Sequence, residues 1–210
     1  NKLEQKILKQ SELEESIQMQ GSGYTLIMKN LDRANQLISS FKQVAVDQSS
    51  EACREINVTE YLHDVVFSLK PLWKNKDLQI QINGPDKLLF NTYPGALHQI
   101  FTNLINNSVI HGFEGLDRGK IRIEISVHAE CIHLYYFDNG LGMAPAMVSQ
   151  VFSPFVTSKR SQGGSGLGMH IVFNLVTQLF QGEIKCYSTP GHGVEIKMRL
   201  PLKLLENKAK

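Results

Sequence analysis

Gly163-Gly164-Ser165-Gly166-Leu167-Gly168-Met169 runs directly into an apolar helical pattern, and a second glycine box, Asp138-Asn139-Gly140-Leu141-Gly142, lies upstream of it. A glycine run that opens a helix leaves backbone N–H groups unblocked by side chains and aims the helix dipole at bound phosphate. A carboxylate beside a tight glycine turn can accept from a base amino group. Either box alone is weak evidence. Together they point to a nucleotide.

Working outward, residues 120–128 and 131–137 read as strands, and the short gap Ala129-Glu130 makes them a hairpin. Between the boxes a short helix is expected over 145–151, leading into Phe152-Ser153-Pro154-Phe155. The polar, glycine-rich stretch 157–165 has no periodicity and reads as a loop or lid. A helix over 167–180 should end before Gly182, followed by strands over 183–187 and 194–200 around the turn Thr189-Pro190-Gly191-His192-Gly193. Farther upstream Asn57 is the expected cap of a helix over 58–76, with Val58, Leu62, Val65, Val66 and Leu69 inward and Pro71 as a kink or end. Residues 78–82 alternate as a strand and 83–86 form its turn. A helix over 94–111 carries Leu97, Ile100, Phe101, Leu104, Ile105 and Val109 on one face, and Gln99, Asn103, Asn107 and His111 at a spacing of four. This order predicts an α+β fold, a mixed sheet with helices packed on one face.

The first 46 residues differ in character. Tyr24, Ile27, Leu31, Ala34, Ile38, Phe41 and Ala45 recur at alternating spacings of three and four, a heptad seam that a lone helix cannot bury. A helical dimerisation segment over 1–46, a linker over 47–56, a folded domain over 57–203 and a tail over 204–210 are therefore expected. Gly21-Ser22-Gly23 interrupts the seam. The formal net charge of +2 is small, and Lys and Arg are scattered without a basic block, which argues against a nucleic-acid partner. Cys53, Cys131 and Cys186 are odd in number and lack a Cys-x-x-Cys pair, which argues against a disulfide framework or zinc site and fits a reducing cytosol. With no apolar run of membrane-spanning length and no initiating Met, the chain reads as the cytoplasmic portion of a longer, membrane-anchored protein.

Five boxes in order, Asn103-Leu104-Ile105-Asn106-Asn107, Asp138-Asn139-Gly140-Leu141-Gly142, Phe152-Ser153-Pro154-Phe155, Gly164-Ser165-Gly166-Leu167-Gly168 and Gly191-His192-Gly193, resemble the catalytic ATP-binding domain of sensor histidine kinases over about residues 57–201. The resemblance implies the Bergerat-type α/β sandwich shared with gyrase, an ATP-driven heat-shock chaperone and mismatch-repair ATPases. It implies ATP and magnesium as ligands, with Asn107 on the metal, Asn103 orienting water and Asp138 accepting the adenine amino group. Gly140 and Gly142 would let the chain pass close to the ring, and Gly164, Ser165, Gly166, Leu167, Gly168 and Met169 would present backbone to the phosphates. Phe152 and Phe155 would anchor the lid, a role compatible with ordinary core packing. Thr157, with Lys159 or Arg160, would reach toward the γ-phosphate, and His111 would touch phosphate or ribose. Ile110 and Val194 depart from the family pattern, which often has a phosphate-binding Lys and a Thr or Ser there.

Three functions follow. The first is a kinase that moves the γ-phosphoryl of ATP to a histidine on an upstream acceptor helix, then to an aspartate of a response-regulator receiver domain, acting as a homodimer through the N-terminal helix. The second is an ATP-driven conformational machine, disfavoured because Asn103 stands where such relatives place a general-base Glu. The third is a non-catalytic nucleotide-binding dimerisation module.

Overall fold

The computed structural model describes residues 17–21, 23, 24, 27, 28, 31, 53–74, 76–157 and 165–202. Two compact units divide the chain, Asn1–Phe41 and Lys42–Lys210. In the first, every described residue is helical, and the seam residues Tyr24, Ile27 and Leu31 are exposed. The remaining seam positions, most of the expected linker and the tail lie outside the described residues.

In the second unit the order is β1 (Arg54–Asn57), α1 (Val58–Leu69, prolonged by a 3₁₀ turn Lys70–Trp73), β2 (Asp77–Asn83), β3 (Leu89–Thr92) and α2 (Pro94–Asn107, prolonged by a π turn Ser108–Gly112). There follow β4 (Arg118–His128), β5 (Cys131–Asp138), α3 (Pro145–Val148), α4 (Gly168–Asn174, prolonged by a π turn Leu175–Leu179), β6 (Glu183–Ser188) and β7 (Val194–Pro201). Five strands form one mixed sheet in the order β2-β4-β5-β7-β6, parallel between β2 and β4 and antiparallel elsewhere.

Alternation gives the sheet one core face. Ile121, Ile123 and Ile125 of β4, Ile132, Leu134 and Tyr136 of β5, and Ile196, Met198 and Leu200 of β7 are buried. Against them pack Leu62 and Val65 of α1, Ile100, Phe101, Leu104 and Ile105 of α2, and Val172, Leu175 and Val176 of α4 and its extension. Arg122, Tyr135, Phe137 and Lys197 occupy the other face, where Arg122 sits 5.5 Å from the Phe137 ring centre and Lys197 5.1 Å from that of Tyr187. The result is the expected two-layer sandwich.

Several local expectations change. Residues 54–57, assigned to the linker and cap, are a strand that pairs antiparallel with β3, so Arg54, Glu55 and Ile56 belong to the folded domain. Asn57 occupies the N-cap position of α1, yet its side chain makes no cap bond. Its Nδ2 instead donates to Asp86 O (3.0 Å) and its Oδ1 accepts from Leu88 N (3.1 Å), tying α1 to the approach to β3. The α1 helix stops at Leu69 because Pro71, lacking an N–H, stands within the first residues of the 3₁₀ turn. Helices α2 and α4 end in wider π turns, closed by Phe113 N donating to Ser108 O (2.7 Å) and Phe180 N to Leu175 O (3.0 Å). Phe113 then anchors the end of α2: its ring packs where a Cβ on Gly119 would come within 2.8 Å. Lys76 Nζ donates to Phe113 O and Leu116 O.

Candidate nucleotide site

The end of β5 delivers Asp138 to a place 2% exposed, below the π turn of α2. Its carboxylate is held from three sides. Oδ1 accepts from Gly140 N (3.0 Å) and Val194 N (3.2 Å), and Oδ2 accepts from Ser108 Oγ (2.6 Å). Burial pushes its pKa above the ordinary carboxylate value, against the lowering effect of Ser108 and the two backbone donors. A carboxylate offers about four lone-pair positions, so one acceptor position, on Oδ2, is left beyond these three bonds. Gly112 stands beside the carboxylate without a side chain, and a Cβ there would lie in van der Waals contact with it, 3.5 Å from Oδ1 and 3.6 Å from Oδ2.

The glycines around Asp138 answer first to the protein's own backbone. A side chain on Gly140 would overlap Gly112 O. Gly142 has φ +68, and a Cβ there would overlap Thr189 O. Leu141 N donates to Gly112 O (2.8 Å) and Gly191 N to Leu141 O (2.7 Å), so the 139–142 turn is stitched to both the π turn and the 189–193 turn. Close approach is thus required for chain to meet chain, a requirement the sequence pattern did not separate from approach to a ring.

On α2, Asn103 and Asn107 are both half-buried one turn apart. Asn103 Nδ2 donates back to Gln99 O (3.0 Å), leaving its Oδ1 beside the start of α4, where a Cβ on Gly168 would lie 3.1 Å away. No hydrogen bond engages the Asn107 amide among the described residues. His111 lies inside the π turn and is half-buried. Asn103 is therefore brought to the first turn of α4, with Asn107 one turn farther along α2 and His111 in the π turn.

The loop after Phe155 is closed at its base. Phe155 has φ 65, a left-handed conformation uncommon for a bulky residue, and a Cβ on Gly166 would come within 2.6 Å of its carbonyl carbon. Phe152 is fastened to α4 twice, by its ring 5.5 Å from that of Phe173 and by its carbonyl, which accepts from His170 Nδ1 at 3.0 Å. Thr157 is half-buried and Ser165 exposed, with Ser165 Oγ accepting from Leu167 N (3.3 Å). Leu167 is 3% exposed, so its side chain belongs to the core, and Met169 also packs partly against it. The expected first helical residue, Leu167, is the N-cap, and the helix begins at Gly168. Lys159, Arg160 and Gly164 lie outside the described residues.

Ser108, Tyr136 and Gly112 were not among the residues the sequence singled out. Gly112, close behind Asn107 on the same helix, was the available signal; the two hydroxyls gave none until β5 and the π turn were brought together.

Comparison with known proteins agrees with this fold. The family model described as histidine kinase-, DNA gyrase B-, and HSP90-like ATPase matches residues 92–204. The sensor protein DegM of Bacillus sp. (strain B21-2) is 26% identical over 185 residues, covering 85% of this chain and 46% of DegM. Sporulation kinase A of Bacillus subtilis (strain 168) is 26% identical over 189 residues, covering 86% of this chain and 29% of that protein. The chain thus spans less than half the length of these two curated relatives. Among solved structures, the catalytic domain of histidine kinase ThkA superposes with a TM-score of 0.63 at 21% identity, over 72% of this chain and 96% of that one. The Acinetobacter baumannii histidine kinase AdeS gives a TM-score of 0.63 at 14% identity, over 96% of this chain and 90% of that one. No helix among the described residues is long and apolar enough to cross a membrane. With a family model spanning more than half of the chain and the two-layer sandwich in place, the chain belongs to the histidine kinase-, DNA gyrase B- and HSP90-like ATPases and carries their ATP-binding domain.

Proposed function

We propose that the chain supplies the catalytic half of a two-component sensor kinase, moving the γ-phosphoryl of ATP to an imidazole nitrogen of an acceptor helix and thence to a receiver-domain aspartate. The observation that carries the reading is Asp138, buried, held by three donors and left with one acceptor position beside a glycine that cannot cover it. That position suits the amino group of adenine. Asn103 and Asn107 would then face the phosphates from α2, with the first turn of α4 opposite and Ser165, Gly166 and Gly168 presenting backbone between them. His111 would touch phosphate or ribose, Thr157 with Lys159 or Arg160 would reach toward the γ-phosphate, and Gly164 would present backbone to the phosphates.

Magnesium fits the residues present. The Asn107 amide oxygen is a hard ligand with no hydrogen bond among the described residues, and no cluster of three His, Cys, Asp or Glu stands ready there as an all-protein cage. A magnesium ion would therefore be held by Asn107 together with phosphate oxygens and water, and it would neutralise phosphate charge. The protein's own part is positioning: Asp138 fixes the base, Asn103 orients water, and the closed loop base at Phe155 and Gly166 sets where the lid begins. Dimerisation through the N-terminal helix and a cytoplasmic setting complete the proposal.

The test supplies ATP labelled at the γ-position, this chain and a separately made acceptor-helix polypeptide. Label on histidine is the expected outcome; ATP binding without transfer to a competent acceptor overturns it. Asn107→Ala, which removes the ligand oxygen, should lower transfer by about 100-fold, and unchanged transfer would remove Asn107 from the metal.

A further inference from the structure

Oδ2 of Asp138 heads a buried chain of hydroxyls. Ser108 Oγ donates to it at 2.6 Å, Tyr136 Oη lies 2.7 Å from Ser108 Oγ, and Tyr136 Oη also reaches Leu104 O at 3.2 Å. Tyr136 is 1% exposed, Ser108 and Asp138 2% each. Each hydroxyl has one hydrogen, and an ionised carboxylate only accepts, so the direction is forced: Tyr136 donates to Ser108, and Ser108 donates to Asp138. The reverse direction is equally complete. With a proton on Oδ2, Asp138 donates to Ser108, Ser108 to Tyr136 and Tyr136 to Leu104 O, so no hydroxyl of the chain is left unpaired. In both directions the hydrogen lies between Oδ2 and Ser108. The other position on Oδ2 keeps its lone pair, while Oδ1 is already filled by Gly140 N and Val194 N.

We propose that Ser108 and Tyr136 are specificity-determining positioning residues, which take up the Asp138 proton internally and so keep the free Oδ2 position an acceptor whatever the ionisation of the carboxyl. The site would then select a base bearing a 6-amino group over a 6-oxo group without regard to pH. This rests on the reading of Asp138 as the residue that recognises the base. Burial makes the device useful, because it pushes the carboxyl above its ordinary value, toward the working pH. Among the described residues, Tyr136 on β5, raised by burial and then by Asp138, and Cys186 on β6, pushed up to about 11 by the same two causes in that order, couple to the carboxyl, and His111 is the titratable residue of the π turn. Lys120 of β4 and Glu195 of β7 stand at strand positions of the open face, and β7 and the 139–142 turn send Asp138 only backbone N–H groups. Remove the Ser108 hydroxyl and an inward proton has no acceptor. It is then best placed outward, where it donates to a 6-oxo group and repels a 6-amino group.

Calorimetric titration of this chain with ATP and with inosine triphosphate, magnesium present in both, reads the difference between about pH 5 and pH 8. The wild-type affinity ratio should hold across the range. In Ser108→Ala it should fall about fivefold or more at the acid end; in Tyr136→Phe, where Ser108 lacks an acceptor in the reversed chain, it should fall less; in Ser108→Thr it should return. An unchanged ratio in Ser108→Ala, or equal losses for both nucleotides, overturns the proposal. A wild-type chain that binds both nucleotides alike at every pH overturns the base-recognition reading itself, a separate failure.

Discussion

Asp138→Asn should weaken ATP binding and leave the nucleotide-free fold as stable as before, or more so, at neutral pH. Oδ1 of the amide can keep Gly140 N and Val194 N, whose bonds to Asp138 Oδ1 measure 3.0 and 3.2 Å. Nδ2 then takes the place of Oδ2 and donates to Ser108 Oγ, with Ser108 turning to Tyr136 and Tyr136 to Leu104 O. Every polar atom of the cluster stays paired, but the second amide hydrogen now points where an adenine amino group would approach. Losing a hydrogen bond to an ionised acceptor costs about 1.5–3 kcal/mol, a roughly 10- to 150-fold rise in Kd. Stability runs the other way. The folded-state pKa of Asp138 is raised, chiefly by burial, so the carboxyl's favourable contribution is complete below its unfolded pKa and is lost as pH rises through the folded one. At neutral pH the buried charge is a cost that the amide does not carry. Urea denaturation without nucleotide should therefore show D138N at or above wild type at pH 7, with the difference shrinking in acid, while calorimetry shows ATP weakened and inosine triphosphate gaining on it. A variant that unfolds more easily than wild type at pH 7, or binds ATP as tightly, would refute the reasoning.

Two glycines of the 189–193 turn should separate conformational strain from collision. Gly191 has φ +80 and open space where a methyl group would stand, so Gly191→Ala should cost about 1–2 kcal/mol in urea denaturation and spare ATP binding. Gly193 has φ +73 and a Cβ there would overlap Asp138 O, so Gly193→Ala should cost several times more than Gly191→Ala and abolish ATP binding in the same calorimetric assay. At the tip of the β4–β5 hairpin, Ala129 (φ 49) and Glu130 (φ 58) both hold left-handed conformations that Asn-Gly adopts more readily. The double substitution Ala129→Asn, Glu130→Gly should raise the unfolding free energy by about 1 kcal/mol, and thermal denaturation showing no gain would count against the turn geometry.

Legibility in the sequence followed the range of the interaction. The β4–β5 hairpin was readable because period-two burial and a two-residue gap are local facts, and α2 was readable because Leu97, Ile100, Phe101, Leu104 and Ile105 already mark a helical stripe. The strands β1 and β3 were missed because each is four residues long, Arg-Glu-Ile-Asn and Leu-Phe-Asn-Thr, and exists through pairing with the other. The π turns were equally hidden, since a wider last turn is decided by how Phe113 and Phe180 seat against the core, both at or below 1% exposed.

The site divides along the same line. The Asp138 box, the α2 asparagines and the glycines before α4 announce themselves as short strings, yet strings alone assign the glycines to a ligand. The structure gives Gly140 and Gly142 a prior duty: they let the 139–142 turn touch Gly112 and Thr189, and that contact holds Gly140 N against Asp138 Oδ1. On the proposed reading of Asp138, base recognition would then be a consequence of backbone closure. Any substitution that reopens the closure should act on Asp138 without touching it, whereas Ser108 and Tyr136, absent from every string, reach the same carboxylate through the core. Two independent supports, one of backbone N–H and one of hydroxyl, converge on a group with a single acceptor position to spare, and under the proposed function that scarcity would let one buried side chain choose among bases.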